Sequence, residues 1–119
     1  MKTEILGAEH NIAHVVPDEP IADASAALNA AMSAKYETGC ERLIFDKTAF
    51  AESFFILSSG LAGEILQKFV NYRLKAAIVG DYSHYTSKPL HDFIRESNHG
   101  RDVFFVSTIE DAVELLAKV

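Results

Sequence analysis

Basic residues are in short supply in this chain: 11 Lys and Arg stand against 17 Asp and Glu, for a formal net charge of −6 and a pI near 5.3. A nucleic-acid footprint needs Lys and Arg gathered on one face, so no nucleic acid is expected as a partner. Cysteine is scarcer still. The lone Cys40 has no intramolecular disulfide partner and no CxxC neighbour for zinc, and free cysteine is among the residue types most often buried. Long apolar runs are missing too. The longest, Ser53 to Leu66, is broken by Ser58, Ser59, Gly60 and Glu64, whereas a membrane-spanning helix needs about 20 apolar residues. The opening Met1-Lys2-Thr3-Glu4 lacks the apolar centre of a signal peptide. These absences point to the cytoplasm and away from any membrane.

What is present is the material of a single α/β domain. Of 119 residues, 49% are apolar, enough for a core in a chain of this length. Ile5-Leu6-Gly7 and Ile12–Val16 read as the strands of a hairpin around Glu9-His10-Asn11, closed by Pro17. Asp18-Glu19-Pro20 reads as a helix start, with Ile21, Leu28, Ala31 and Met32 as its apolar stripe and Gly39 as its stop. Arg42–Asp46, Ala76–Val79 and Val103–Val106 are short apolar runs that suit buried strands. Between them lie helical patterns: Ser59 to about Tyr72, with Leu61, Ile65 and Phe69 on one face, and a segment opened by Pro89 and ended by Asn98-His99-Gly100. Ser107-Thr108-Ile109-Glu110 has the form of a capping box for a last helix. The order β-β-α-β-α-β-α-β-α predicts one mostly parallel sheet with right-handed crossovers and an N-terminal antiparallel hairpin, over residues 1–119. Lys47 to Leu57 has no clean period and reads as a loop with a helical turn.

Signatures of chemistry are mostly lacking. There is no GxSxG elbow, and the Gly80–Lys88 loop is no P-loop: the second Gly of that motif is absent and Lys88 is followed by Pro89. His84 and His91 stand seven apart across a loop–helix junction, and His10 and His14 lie on a hairpin, so neither pair makes a metal site. No catalytic residue, metal or cofactor is expected. Three features remain as candidates. Ser58-Ser59-Gly60 opens a helix, where free N–H groups favour an anion or a phosphorylated side chain; the same residues suit an ordinary N-cap. The loop of Gly80, Asp81, His84, Thr86, Ser87 and Lys88 follows a buried strand, and ligands of open α/β sheets favour strand carboxyl ends. With Asp46 at the end of the neighbouring strand, it can hold a small anionic ligand or a small enzyme's substrate; a capped turn with solvated tyrosines is the plainer account of it. Finally, eight phenylalanines exceed what one small sheet needs. Phe50, Phe54 and Phe55 are the candidates for a partner or homodimer surface, or for a satellite core beneath the loop.

Several stretches carry a resemblance. Tyr36-Glu37-Thr38-Gly39-Cys40, Gly60-Leu61-Ala62-Gly63-Glu64-Ile65-Leu66-Gln67-Lys68-Phe69, Ala77-Ile78-Val79-Gly80-Asp81, Tyr85-Thr86-Ser87-Lys88, Asp92-Phe93-Ile94 with Glu96-Ser97-Asn98 and Gly100, and Phe104-Phe105-Val106 resemble a bacterial family catalogued as domain of unknown function 4180. That family implies no activity. The element order and Leu57-Ser58-Ser59-Gly60-Leu61 are similar to the STAS domains (sulphate transporter and anti-sigma-factor antagonist). In the phosphorylatable members of that fold, a Ser or Thr after an Asp is modified by a partner kinase. Here Ser58 and Ser59 match, with Leu57 in place of the Asp. The resemblance implies a STAS-like fold and a non-enzymatic regulatory or protein-interaction role; the alternative is a small enzyme or anionic-ligand binder at the strand ends.

Overall fold

A computed structural model describes residues 1–119. The first strands, β1 (Lys2–Leu6) and β2 (Ile12–Val16), form the antiparallel hairpin. Its turn runs through Gly7 at φ +87° and His10 at φ +56°, closed by the His10 N–H donating to the Gly7 carbonyl at 3.1 Å. The strands β3 (Arg42–Asp46), β4 (Lys75–Val79) and β5 (Val103–Val106) follow, and β2 through β5 are all parallel. Strand order in space equals strand order in sequence. The sheet is therefore mixed, with a single antiparallel pair at one edge.

Because each right-handed crossover steps in the same direction, the connecting helices share one face. They are α1 (Ala24–Thr38), α2 (Leu61–Asn71) and α3 (Lys88–His99). Ala13, Val15, Leu43, Phe45, Ala76, Ile78, Val103 and Phe105 of the sheet meet them in a core of 24 buried residues. The other face is covered by the last helix alone, α4 (Ile109–Leu116), over Ile12, Ile44, Ala77 and Phe104. Arg42 holds this helix down by donating from Nε to the carbonyls of Leu116 and Val119, at 3.0 and 3.1 Å. No helix is long and apolar enough to cross a membrane.

Helix α1 starts later than Asp18-Glu19-Pro20 suggests. Asp23 is its N-cap, accepting from the Ala26 N–H at 2.7 Å. The delay comes from Ile21, whose backbone is extended and bonded to the next crossover: its N–H donates to Ala49, and its carbonyl accepts from Ala51, both at 2.8 Å. The buried stripe is Ala24, Ala27, Ala31 and Ala34 rather than Leu28 and Met32, which pack at the margins. Small side chains let the helix axis come close to the sheet. Helix α4 is shifted by one residue from the expected box: Thr108, not Ser107, accepts from the Asp111 N–H at 3.1 Å. The shift turns Ala112 and Leu116 into the sheet and leaves Ile109 and Val113 at the margin.

The unperiodic segment after β3 consists of three short 3-10 turns, Lys47–Ala49, Glu52–Phe55 and Leu57–Ser59. Here the expected exposed surface is corrected. Phe50, Phe54 and Phe55 are 5%, 0% and 3% exposed. Their rings form a chain with Phe45 of β3: Phe45–Phe50 at 5.5 Å between centroids, Phe50–Phe54 at 4.6 Å, and Phe54–Phe55 at 4.8 Å. They are the satellite core under a long crossover, because successive 3-10 turns can aim neighbouring side chains at one hydrophobic floor without any helical period. Phe54→Ala should cost about 3–5 kcal/mol, measured by urea unfolding. Phe54→Asp, which buries an unpaired charge, should leave no folded protein by circular dichroism.

Candidate functional site

At the carboxyl end of the sheet, the β3–α2 segment meets the loop from β4 to α3. Lys47 is the first residue beyond β3, and Gly80 the first beyond β4. The Gly80 N–H still donates to Val106 at 3.0 Å, so this backbone is held by the sheet. A side chain at position 80 would place its Cβ 2.6 Å from Lys47 Cβ, so glycine is what lets Lys47 lie across the β4 terminus. The Lys47 ammonium then rests 5.1 and 4.9 Å from the ring centroids of Phe55 and Tyr85, close enough for cation–π attraction.

Tyr85 is the hinge of the site. Its ring stacks on Phe55 at 5.5 Å with 22° between planes, His84 packs on it at 4.2 Å, and its hydroxyl donates to Glu52 Oε1 at 3.2 Å. Its carbonyl meets His91 Nε2 in a close contact. Tyr82 lies deeper, donating to the Ile78 carbonyl at 2.9 Å; burial, with some help from Tyr85, pushes its hydroxyl above the usual tyrosine range. Asp81 is exposed and closes a turn by accepting from the Ser83 N–H at 2.9 Å. The hydrogen bonds from Ser83 hold its carboxyl below the ordinary aspartate value, with His84 and Lys47 adding to the effect.

Between the two segments lies a cleft of about 620 Å³ lined by Glu52, Phe55, Ile56, Leu57 and Ser58 on one wall and His84, Tyr85, Thr86, Ser87 and Pro89 on the other. Ile56 is 55% exposed there, unusual for a large aliphatic side chain. The structure thus brings Ser58 together with His84, Thr86 and Ser87. The remaining residues proposed from sequence go elsewhere. Gly80 and Asp81 line a second depression of about 640 Å³ with Val106, Ser107, Asp111 and Glu114. Asp46 turns to the α4 side of the sheet, where its carboxylate pairs with His14 Nε2 at 2.9 Å. The Lys88 ammonium bonds Asp92 one turn along α3 at 2.7 Å; that pair raises the lysine pKa and, with Arg95, lowers that of Asp92. Lys88 and Asp46 therefore do not converge.

The serines divide their roles. Gly60, at φ +79°, is the N-cap of α2 and offers no side-chain cap. Ser59 substitutes from one position earlier: its hydroxyl donates to Ser53 at 2.7 Å and accepts from the Leu61 N–H at 3.2 Å. Ser58 is exposed at the cleft lip. Sequence reasoning missed Lys47, Glu52 and Ile56, all in the stretch without periodicity, and the partnership of His14 with Asp46, which only strand register discloses.

A singly wound α/β domain with an aromatic, hydroxyl-rimmed cleft beyond its strand ends is the class that this geometry defines. The chain belongs to the family described as Domain of unknown function (DUF4180), whose family model matches residues 8–116. No curated protein and no solved structure matches it.

Ser59→Ala should lower stability by about 0.5–2 kcal/mol, as loss of a cap does, while Ser58→Ala should stay within about 0.5 kcal/mol of wild type; thermal unfolding of the two variants reads the difference. Gly80→Ala should cost about 1–3 kcal/mol by forcing Lys47 off its rings, seen as an upfield-shift loss for the Lys47 methylenes in NMR spectra.

Proposed function

We propose that this chain is a non-enzymatic protein-interaction domain that holds a segment of a protein partner in the cleft between Glu52–Ser58 and His84–Pro89. The observation that carries the reading is the lining of that cleft: an exposed Ile56 beside Leu57 and Pro89, an aromatic floor of Phe55 and Tyr85, and the hydroxyls of Ser58, Thr86 and Ser87 at its rim. Apolar anchors surrounded by a few placed polar groups are what a peptide segment needs for affinity and orientation. Of the four ionisable groups with displaced protonation, Asp81, Lys88 and Asp92 owe it first to local hydrogen bonds and Tyr82 to burial. That favours recognition over proton-transfer chemistry.

Regulation enters this reading through Ser58. Both hydroxyls of the pair are exposed, but that of Ser59 is engaged with Ser53 and Leu61, whereas Ser58 belongs to the cleft wall, so a phosphate there would change the charge of the docking surface. The STAS-like template is part of the same proposal, supported by the hairpin-first element order and by the Ser58-Ser59-Gly60 entry to α2. A bacterial cytoplasmic setting fits the acidic composition and the single buried Cys40. The anionic-ligand alternative has less behind it, because Lys88 and Asp46 are each bonded to partners outside the cleft.

A photo-crosslinking residue at position 56, in the native cell, should capture one defined protein, while the same residue at Tyr36, 92% exposed on α1, should not. Ser58→Glu should weaken that capture without changing the melting temperature. Equal capture from both positions, or none from position 56, would remove the cleft as the docking site.

A further inference from the structure

The two edges of the sheet are finished differently. At β5, Asn98 near the end of α3 turns its side-chain amide onto the strand: Oδ1 accepts from the Phe105 N–H at 2.7 Å, and Nδ2 donates to the Phe105 carbonyl at 3.1 Å. A carboxamide carries the same donor and acceptor as a peptide unit, so Asn98 stands where a sixth strand would bond and closes that edge. Strand β1 has no such cover. Its backbone bonds to β2 and to nothing on the outer side; the strand's one side-chain bond runs from Thr3 Oγ1 to Glu37 Oε2 of α1, at 3.3 Å. An edge left this way is a template for another strand unless its side chains oppose pairing.

Here the side chains favour one particular pairing. Lys2 and Glu4 are both exposed and share a face of β1, since alternate residues point the same way. If two copies pair antiparallel about Thr3, Lys2 of each copy falls opposite Glu4 of the other, twice over by symmetry, and Thr3 falls opposite Thr3. On the reverse face Ile5, 43% exposed, comes opposite Met1 of the second copy. The neighbouring register, centred on Glu4, would set two carboxylates face to face, which is unfavourable for a cross-strand pair.

We propose that β1 is a docking edge for a second copy of this chain, joined by a two-fold antiparallel β1–β1 contact centred on Thr3, so that two five-stranded sheets become one continuous sheet. The contact is isologous, as a closed dimer requires, and its affinity comes from main-chain hydrogen bonds with charge setting the register. It lies apart from the cleft and does not depend on that reading. The dimer surface expected of Phe50, Phe54 and Phe55 is thus replaced by a backbone edge.

Sedimentation of the wild-type chain at about 100 µM, a concentration that populates complexes of micromolar affinity, should give twice the 13.1 kDa chain mass. Lys2→Glu should weaken the dimer about tenfold, and adding Glu4→Lys to it should restore wild-type association. Opposed Cβ atoms in a strand pair lie about 4.5–5.5 Å apart, close to what a disulfide spans. Thr3→Cys should therefore link two copies on mild oxidation, while Lys2→Cys, Glu4→Cys and wild type, whose Cys40 is buried, should not. A monomeric wild type overturns the proposal, as does a dimer indifferent to Lys2→Glu or one cross-linked through position 4 rather than 3.

Discussion

The chain of phenylalanine rings from Phe45 through Phe50 and Phe54 to Phe55 joins the end of a central strand to a crossover that has little regular structure of its own. Three 3-10 turns cannot stabilise fourteen or so residues by backbone bonding alone, and runs of that kind rarely persist. Their order comes from the buried rings. With Phe54 wholly inside and Phe55 nearly so, the backbone between them has one position available. The outer face of that same backbone then becomes a wall: Ile56 and Ser58 are presented outward, with Leu57 between them packed partly against the core, because Phe54 and Phe55 are drawn inward.

Lys47 and Gly80 extend this dependence to the neighbouring loop. Aromatic contacts run on from Phe55 to Tyr85 and Tyr82 and from Tyr82 to Phe105, so the 3-10 segment, the β4–α3 loop and the last strand share one apolar floor. The lysine lies over it because position 80 carries no side chain. Both walls of the cleft are thus tied to buried aromatic rings.

Topology decides where a binding site can form. In doubly wound sheets the strand order reverses, and helices diverge to opposite faces to leave a crevice. Here the order runs β1 to β5 without reversal, and α1, α2 and α3 stay on one face. The strand ends therefore offer no ready crevice, and the depressions there are made by loops. This is why Asp46 and the Gly80–Lys88 loop, neighbours by strand pairing, do not act together: Asp46 points to the α4 side with His14, and Tyr85 points to the other.

Strand and helix order, the parallel core of the sheet and the antiparallel hairpin were legible in the sequence, because apolar runs of β-branched and aromatic residues bounded by Gly, Pro and polar caps speak through local periodicity. Membership of the family was legible from residues 36–106 for the same reason that motifs are: they are contiguous. Helix boundaries were misplaced by the pull of tertiary bonds, as when Ile21 is held extended by Ala49 and Ala51, or when close packing chooses Ala24, Ala27, Ala31 and Ala34 over larger neighbours. The fate of Phe50, Phe54 and Phe55, the meeting of Ser58 with Thr86 and Ser87, the pairing of His14 with Asp46, and the capping of β5 by Asn98 were decided only in three dimensions. Each joins residues far apart in the chain, and burial and hydrogen bonding at such distances depend on how elements pack, which no local pattern records.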